Sequence, residues 1–344
     1  SPDLKSAPTT KYRLVDAQER FETLLAEIAR EPRLAIDTEF HRERTYFPKV
    51  ALIQVGWSSG IALVDPLCVD VGSLRSVLDS DALIIMHAAG QDLEVMDRIC
   101  ETMPRHLFDT QLAAGFLGMS SPSLASLHER ELGLRLPKSD RLTDWLVRPL
   151  SASQQDYAAS DVAYLLQIHE LQVAQLAERG RLAWMETECA EFLSRERLRR
   201  RPEDAWLRVK EVRRLRGRSR DVARALAAWR QDRAAEMDIP IRHVLPDLAI
   251  VAIAQGEPTT SEDLARIRGV EKRHLSRGMG PEILAAVARA DQLPPIKELA
   301  SVGRDRRGDL RAAVTLVSAW LSQLARNLEI DPALIGTRAD IEAL

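Results

Sequence analysis

The sequence predicts an α/β domain, a mixed sheet with helices on its faces, followed by an all-α region. Strand-like and helix-like segments alternate as far as about Arg179. Three strands lie close together before the strands become separated by helices, which implies a meander at one end of the sheet and parallel crossovers at the other. After Ser151 the strand signals stop and helical periodicity takes over.

Asp16 with Glu19 three residues on resembles a capping box opening a helix through Arg30, which Pro32 stops. Arg33 to Phe40 reads as a strand and Val50 to Trp57 as a second. Ser58-Ser59-Gly60 is a turn into a third strand, Ile61 to Val64. Asp81 to His87 is an apolar strand ahead of an amphipathic helix from Gln91 to about Met103, and His106 to Phe108 is a short strand. Helices are expected over Gln154–Arg179 and Leu182–Arg200. Arg201-Pro202 marks a domain boundary, and the rest is helix and turn with breaks at Gly217, Pro240, Gly256, Gly278 and Pro294-Pro295. Ala228-Trp229, Ala234 and Ile239 recur 91 positions later as Ala319-Trp320, Ala325 and Ile330. That is the mark of a duplicated helical module. The expected division is therefore 1–202, 203–292 and 293–344, the last a second copy cut short.

Charged residues make up 29% and hydrophobic residues 45% of the 344, which excludes wholesale disorder. No apolar run approaches the roughly 18 residues of a membrane span, and the N-terminus has no apolar signal region. The three cysteines, Cys68, Cys100 and Cys189, are far apart and read as buried thiols of a reducing, cytoplasmic compartment. Net charge is −3, yet residues 195–220 hold 12 basic against four acidic side chains. That stretch is either a solvated helix face or a phosphate-binding patch.

Asp37 and Glu39 stand two apart on a predicted strand, so both carboxylates leave the same face and repel unless a cation joins them. A strand end emerging into water is the plain alternative. Asp92 falls in the first turn of a helix, where the dipole favours a carboxylate. His87 ends the preceding strand as a ligand, a base or a packed residue. Tyr157 and Asp161 are four apart, one helical turn, beside buried Ala158, Val162, Leu165 and Leu166. Together these offer four carboxylates and a phenol. Such hard oxygen ligands suit two divalent cations, Mg²⁺ or Mn²⁺, and the chemistry of phosphodiester cleavage.

Asp37-x-Glu39, Asp92 and Tyr157-x-x-x-Asp161 match in order the three motifs of the tyrosine-type DEDD 3′-to-5′ exonucleases. Residues 40–54, 107–111, 139–150 and 157–166 resemble ribonuclease D, and the C-terminal half resembles the HRDC modules of that family. The resemblance implies a ribonuclease H-like fold and stepwise release of nucleoside 5′-monophosphates from RNA 3′ ends. It also implies that Asp37, Glu39 and Asp161 hold the first metal, with Asp37 bridging to a second that Asp92 supports through water, while Tyr157 orients the attacking water. Asp109 is read as a helix cap rather than a ligand.

Candidate substrate contacts are Phe40, Lys138, Arg141, Trp145 and Arg148 in the first domain, and Lys272 and Arg273 at a turn of the second. Core packing competes for Phe40 and Trp145. The expected partner is RNA with a free 3′ end, such as a tRNA precursor, bound by a monomer. A DNA 3′-exonuclease and a non-catalytic RNA-binding scaffold are the competing functions.

Overall fold

The computed structural model describes residues 5–6, 10–135, 143–198, 202–295 and 304–343. Its main sheet has six strands: β1 Arg13–Val15, β2 Arg33–His41, β3 Lys49–Trp57, β4 Gly60–Val64, β5 Leu83–Met86 and β6 His106–Asp109. They lie in the order β1-β4-β3-β2-β5-β6. β3 and β4 form the expected antiparallel hairpin, while β2, β5 and β6 are parallel neighbours, the last two joined through the helix Gly90–Cys100. The sheet is mixed, as the spacing of strands requires. β1 is an addition: three residues parallel to β4, too short to leave an alternation in the sequence.

Alternation along β2 builds two cores. Leu34 and Ile36 join Ile84 and Met86 on one face, packed with Phe21, Leu24, Leu93 and Met96 of the helices Gln18–Ile28 and Gly90–Cys100. Ala35 joins Ile85 and Phe108 on the other, under Val162, Leu165 and Leu176. Each face is thus covered by helices, which explains why the strands read as almost continuous apolar runs.

Two helix boundaries differ from expectation. The helix Gln18–Ile28 starts at Ala17 without a side-chain cap; the Asp16 carboxylate instead accepts from Arg20 one turn on, at 3.0 Å. The helix expected over 154–179 breaks at Tyr164 (φ −117°, ψ 0°), giving Ala152–Ala163 and Leu165–Glu178. The Tyr164 ring stands edge-on to His128, with centroids 5.5 Å apart. Cys100 and Cys189 are buried as expected, and burial pushes both thiols up to about 12. Cys68 is exposed, which corrects the reading of all three as buried; in the loop after β4 it is the neighbouring Val69 that turns into the core.

The chain divides into two units. One holds the residues up to Phe40, Val50–Ser194 and Leu299–Leu344; the other holds His41–Lys49 and Arg195–Glu298. In the second, the helix Gly217–Met237 is the hub. Its Val222, Leu226 and Trp229 are buried by Ile250, Ile253 and Ile283 of the helices Asp247–Gly256 and Met279–Arg289. Among the described residues no helix is long and apolar enough to cross a membrane.

Candidate active site

The acids converge because two periodicities meet. In β2, Asp37 and Glu39 continue the face of Ala35, the face that packs on Val162. In the helix Ala152–Ala163, a capping box between Ser151 and Gln154 fixes the start. Ala158, Ala159 and Val162 are buried against the sheet, and Asp161 shares their buried environment at 6% exposure. One carboxylate oxygen each from Asp37, Glu39 and Asp161 then lie within 4.8 Å of one another. These residues are 124 positions apart in the chain at the extremes, Asp37 to Asp161.

The approach of helix to sheet depends on Gly56. A Cβ at that position would sit 3.3 Å from the Val162 carbonyl oxygen and 3.4 Å from the Ala35 Cβ. Small residues on both sides, Gly56 in β3 and Ala158 and Ala159 in the helix, let the backbones come together.

Asp92 reaches the cluster from the other face of the sheet, in the first turn of the helix Gly90–Cys100. It accepts a hydrogen bond from the hydroxyl of Thr38, whose side chain points opposite to those of Asp37 and Glu39. The electrostatics report crowding. Desolvation, then the charges of Asp92, Asp161 and Glu39, push the Asp37 carboxyl well above the usual carboxylate range. Burial pushes Asp92 up to about 6, against the lowering effect of the Thr38 hydrogen bond. Acids crowded in this way, with Asp37 and Asp92 both resisting ionisation, fit a site completed by cations, and their all-oxygen donor set fits Mg²⁺ or Mn²⁺.

The remaining predicted residues fall in different places. Tyr157 lies one turn before Asp161, with its ring 6.0 Å from that of Trp145. Trp145 itself is 6% exposed and packs with Leu52, Leu63 and Ala159, so it belongs to the core. Arg148 turns inward, where its guanidinium grips both Asp65 oxygens and donates to the Ala51 carbonyl at 2.6 Å. Phe40 is half-buried at the end of β2. Lys138 and Arg141 lie outside the described residues. Lys272 and Arg273 are exposed in the short turn Lys272–Leu275, where Arg273 is paired with Glu271 at 3.1 Å. In the basic stretch, Arg218 is bonded to Glu257 and Asp291.

His87 does not join the acids. Its ring nitrogens lie 2.9 Å from the Thr110 hydroxyl and 3.1 Å from the Pro122 carbonyl, and burial lowers its pKa. Asp109 is a cap, as expected. It accepts from the amides of Gln111 and Leu112 and also from those of Ala88 and Ala89, thereby fixing the turn that enters the Asp92 helix. The roles of Thr38, Gly56 and Asp65 are not evident from the sequence. For Thr38 the period-two alternation was the available signal; the other two answer to tertiary neighbours.

Comparison with known proteins fits this geometry. Residues 12–174 match the family model of a 3′-5′ exonuclease, and residues 219–287 match that of the HRDC domain. The ribonuclease D of Sphingobium indicum is 34% identical over 93% of this chain and 84% of its own length. That of Gluconacetobacter diazotrophicus is 33% identical over 96% and 85%. The chain belongs to the ribonuclease D family. The crystal structure of Escherichia coli RNase D, described as an exoribonuclease involved in structured RNA processing, superimposes with a TM-score of 0.83 at 31% identity. That match covers 96% of this chain and 89% of the other. The catalytic core of RRP6 from Trypanosoma brucei shares the fold, with a TM-score of 0.56 at 23% identity. This ribonuclease D family member is a 3′-to-5′ exoribonuclease whose acidic cluster is consistent with a metal site, and RNA is its partner.

Proposed function

We propose that the chain trims 3′-terminal nucleotides from stable RNA precursors, tRNA among them, in the cytoplasm and as a monomer. The observation that carries the catalytic part is the meeting of the Asp37, Glu39 and Asp161 carboxylates within 4.8 Å. Asp37, Glu39 and Asp161 would hold a first divalent cation and Asp92 would support a second, Mg²⁺ or Mn²⁺ in each case. When bound, the cations supply charge neutralisation and Lewis acidity at the scissile phosphate. The protein's own part is positional. Asp161 is held rigidly by a buried helix, and Tyr157, one turn earlier, presents its phenol to orient the water that attacks the terminal phosphodiester. The product leaves as a nucleoside 5′-monophosphate.

Phe40, at the end of the strand that carries both acids, would stack on a terminal base. Lys272 and Arg273 offer exposed cationic groups to the RNA backbone from the HRDC unit. Residues 293–344 are read as an incomplete second copy of that module, and the backbone supports this. The helix Gly217–Met237 ends at Asp238 (φ 47°), with Ile239 N–H donating to Ala234. The helix Arg304–Leu328 ends at Glu329 (φ 50°), with Ile330 N–H donating to Ala325. A four-residue helix follows each, Ile241–Val244 and Pro332–Ile335.

The experiment is digestion of matched 5′-labelled RNA and DNA and of a tRNA precursor with a 3′ trailer. A ladder shortening from the 3′ end of RNA, halting at the mature tRNA end, is expected. Equal or faster loss of the DNA would favour the DNA exonuclease reading.

A further inference from the structure

Between the two acids of β2 stands Thr38, directed to the opposite face of the sheet. It is 6% exposed, and its Oγ1 donates to Oδ1 of Asp92, itself 7% exposed. Asp92 is not among the three acids whose ligand atoms cluster within 4.8 Å; a hydrogen bond to a residue sandwiched between two of them is what ties it to that group. Donation from a hydroxyl to a carboxylate is charge-assisted and strong for its kind. It also comes from a β-branched side chain whose χ1 is stiff, on a strand paired on its β5 side by Leu34 and Ala35. One Asp92 oxygen is therefore held by the Thr38 hydroxyl, and the backbone amides of Thr38 and Asp92 also donate to the carboxylate.

We propose that Thr38 is the positioning residue for Asp92: it fixes the carboxylate so that the second oxygen faces the acid cluster and serves the second of the two divalent cations. This rests on the reading of Asp92 given above. The same strand thus organises both metal sites, through its odd residues directly and through Thr38 from behind. Partners that orient a ligand from behind typically change metal affinity by roughly 10- to 100-fold when removed.

The test is calorimetric titration of Mn²⁺ into the metal-stripped full chain, with thermal melting as a check on folding. The wild type should show two binding events and Asp92→Asn should lose the weaker. Thr38→Val, which keeps the shape but removes the donor, should weaken that same event about tenfold and leave the tighter one unchanged. Thr38→Ser, which restores the hydroxyl, should recover most of the affinity. Should Thr38→Val melt early, Thr38→Ala carries the same expectation. Wild-type titration curves for Thr38→Val or Thr38→Ala, with an event lost in Asp92→Asn, would overturn the role of Thr38 and leave Asp92 standing. Two intact events in Asp92→Asn would overturn the reading of Asp92 and the proposal with it.

Discussion

The carbonyl oxygen of Val162 lies close against Gly56, so that any side chain there would press on the helix. A Cβ there would be 3.3 Å away, closer than side chains ordinarily come, and Val162 is the next residue after Asp161. The distance between Asp161 and Asp37 is thus set in part by an absent side chain. Gly56→Val should push the helix off the sheet and lower turnover by roughly 10- to 100-fold, the scale of an ångström's misplacement of a reacting group. Gly56→Ala should have a smaller effect in the same direction. Turnover numbers on a short RNA, with melting temperatures alongside, check this. An unchanged rate in Gly56→Val would show that the helix has slack.

Protonation of the cluster should be visible in stability. Asp37 and Asp92 bind their protons more tightly in the folded chain than in the unfolded one. Their contribution is fully present below the unfolded value near 3.8 and is lost as pH rises through the folded value, about 6 for Asp92. In excess EDTA the protein should therefore lose stability between pH 5 and pH 8, with about 1 kcal/mol of that loss from Asp92. Asp37→Asn should flatten that loss, and excess Mg²⁺ should reverse it at pH 8 more than at pH 5. Denaturant melts at the two pH values measure each term.

Arg148 should behave as a structural residue. Burial raises the Asp65 carboxyl, but the hydrogen bonds and charge of Arg148, with the Leu67 amide, outweigh it and hold it below the usual range. That contribution is present above the unfolded value and is lost as pH falls through the folded one, the reverse of the cluster's behaviour. Arg148→Ala leaves Asp65 buried without its partner and should cost roughly 3 kcal/mol. At a temperature where the variant is folded, KM for RNA should stay near that of the wild type. A KM raised tenfold with no change in stability would restore Arg148 as an RNA contact.

Tyr157→Phe removes a phenol from a site whose acids are untouched. Single-turnover cleavage should slow by roughly 10- to 1000-fold, the scale of losing one positioned polar group, while Mn²⁺ binding stays at the wild-type level. Asp161→Asn should abolish both.

What was legible in the sequence was what local periodicity encodes. Asp37 and Glu39 two apart on a strand, and Tyr157 and Asp161 four apart on a helix, announce their faces without any knowledge of the partner. Mutual proximity came from the order of the motifs, not from any single one of them. What escaped depended on distant neighbours. Arg148 read as a free cation because nothing marks Asp65, 83 positions away, as its partner. The break at Tyr164 escaped because apolar periodicity continues through it. Gly56 escaped because a glycine in an apolar strand gives no sign of the helix that crosses it.

Metal-dependent hydrolysis by the wild type and by Asp161→Asn, compared on one 5′-labelled RNA, tests the central claim most directly. The wild type in Mg²⁺ or Mn²⁺ should give a ladder shortening nucleotide by nucleotide from the 3′ end with release of 5′-monophosphates. Excess EDTA, or the single substitution, should stop it while the fold persists. Sustained cleavage in EDTA, or by Asp161→Asn, would contradict the account.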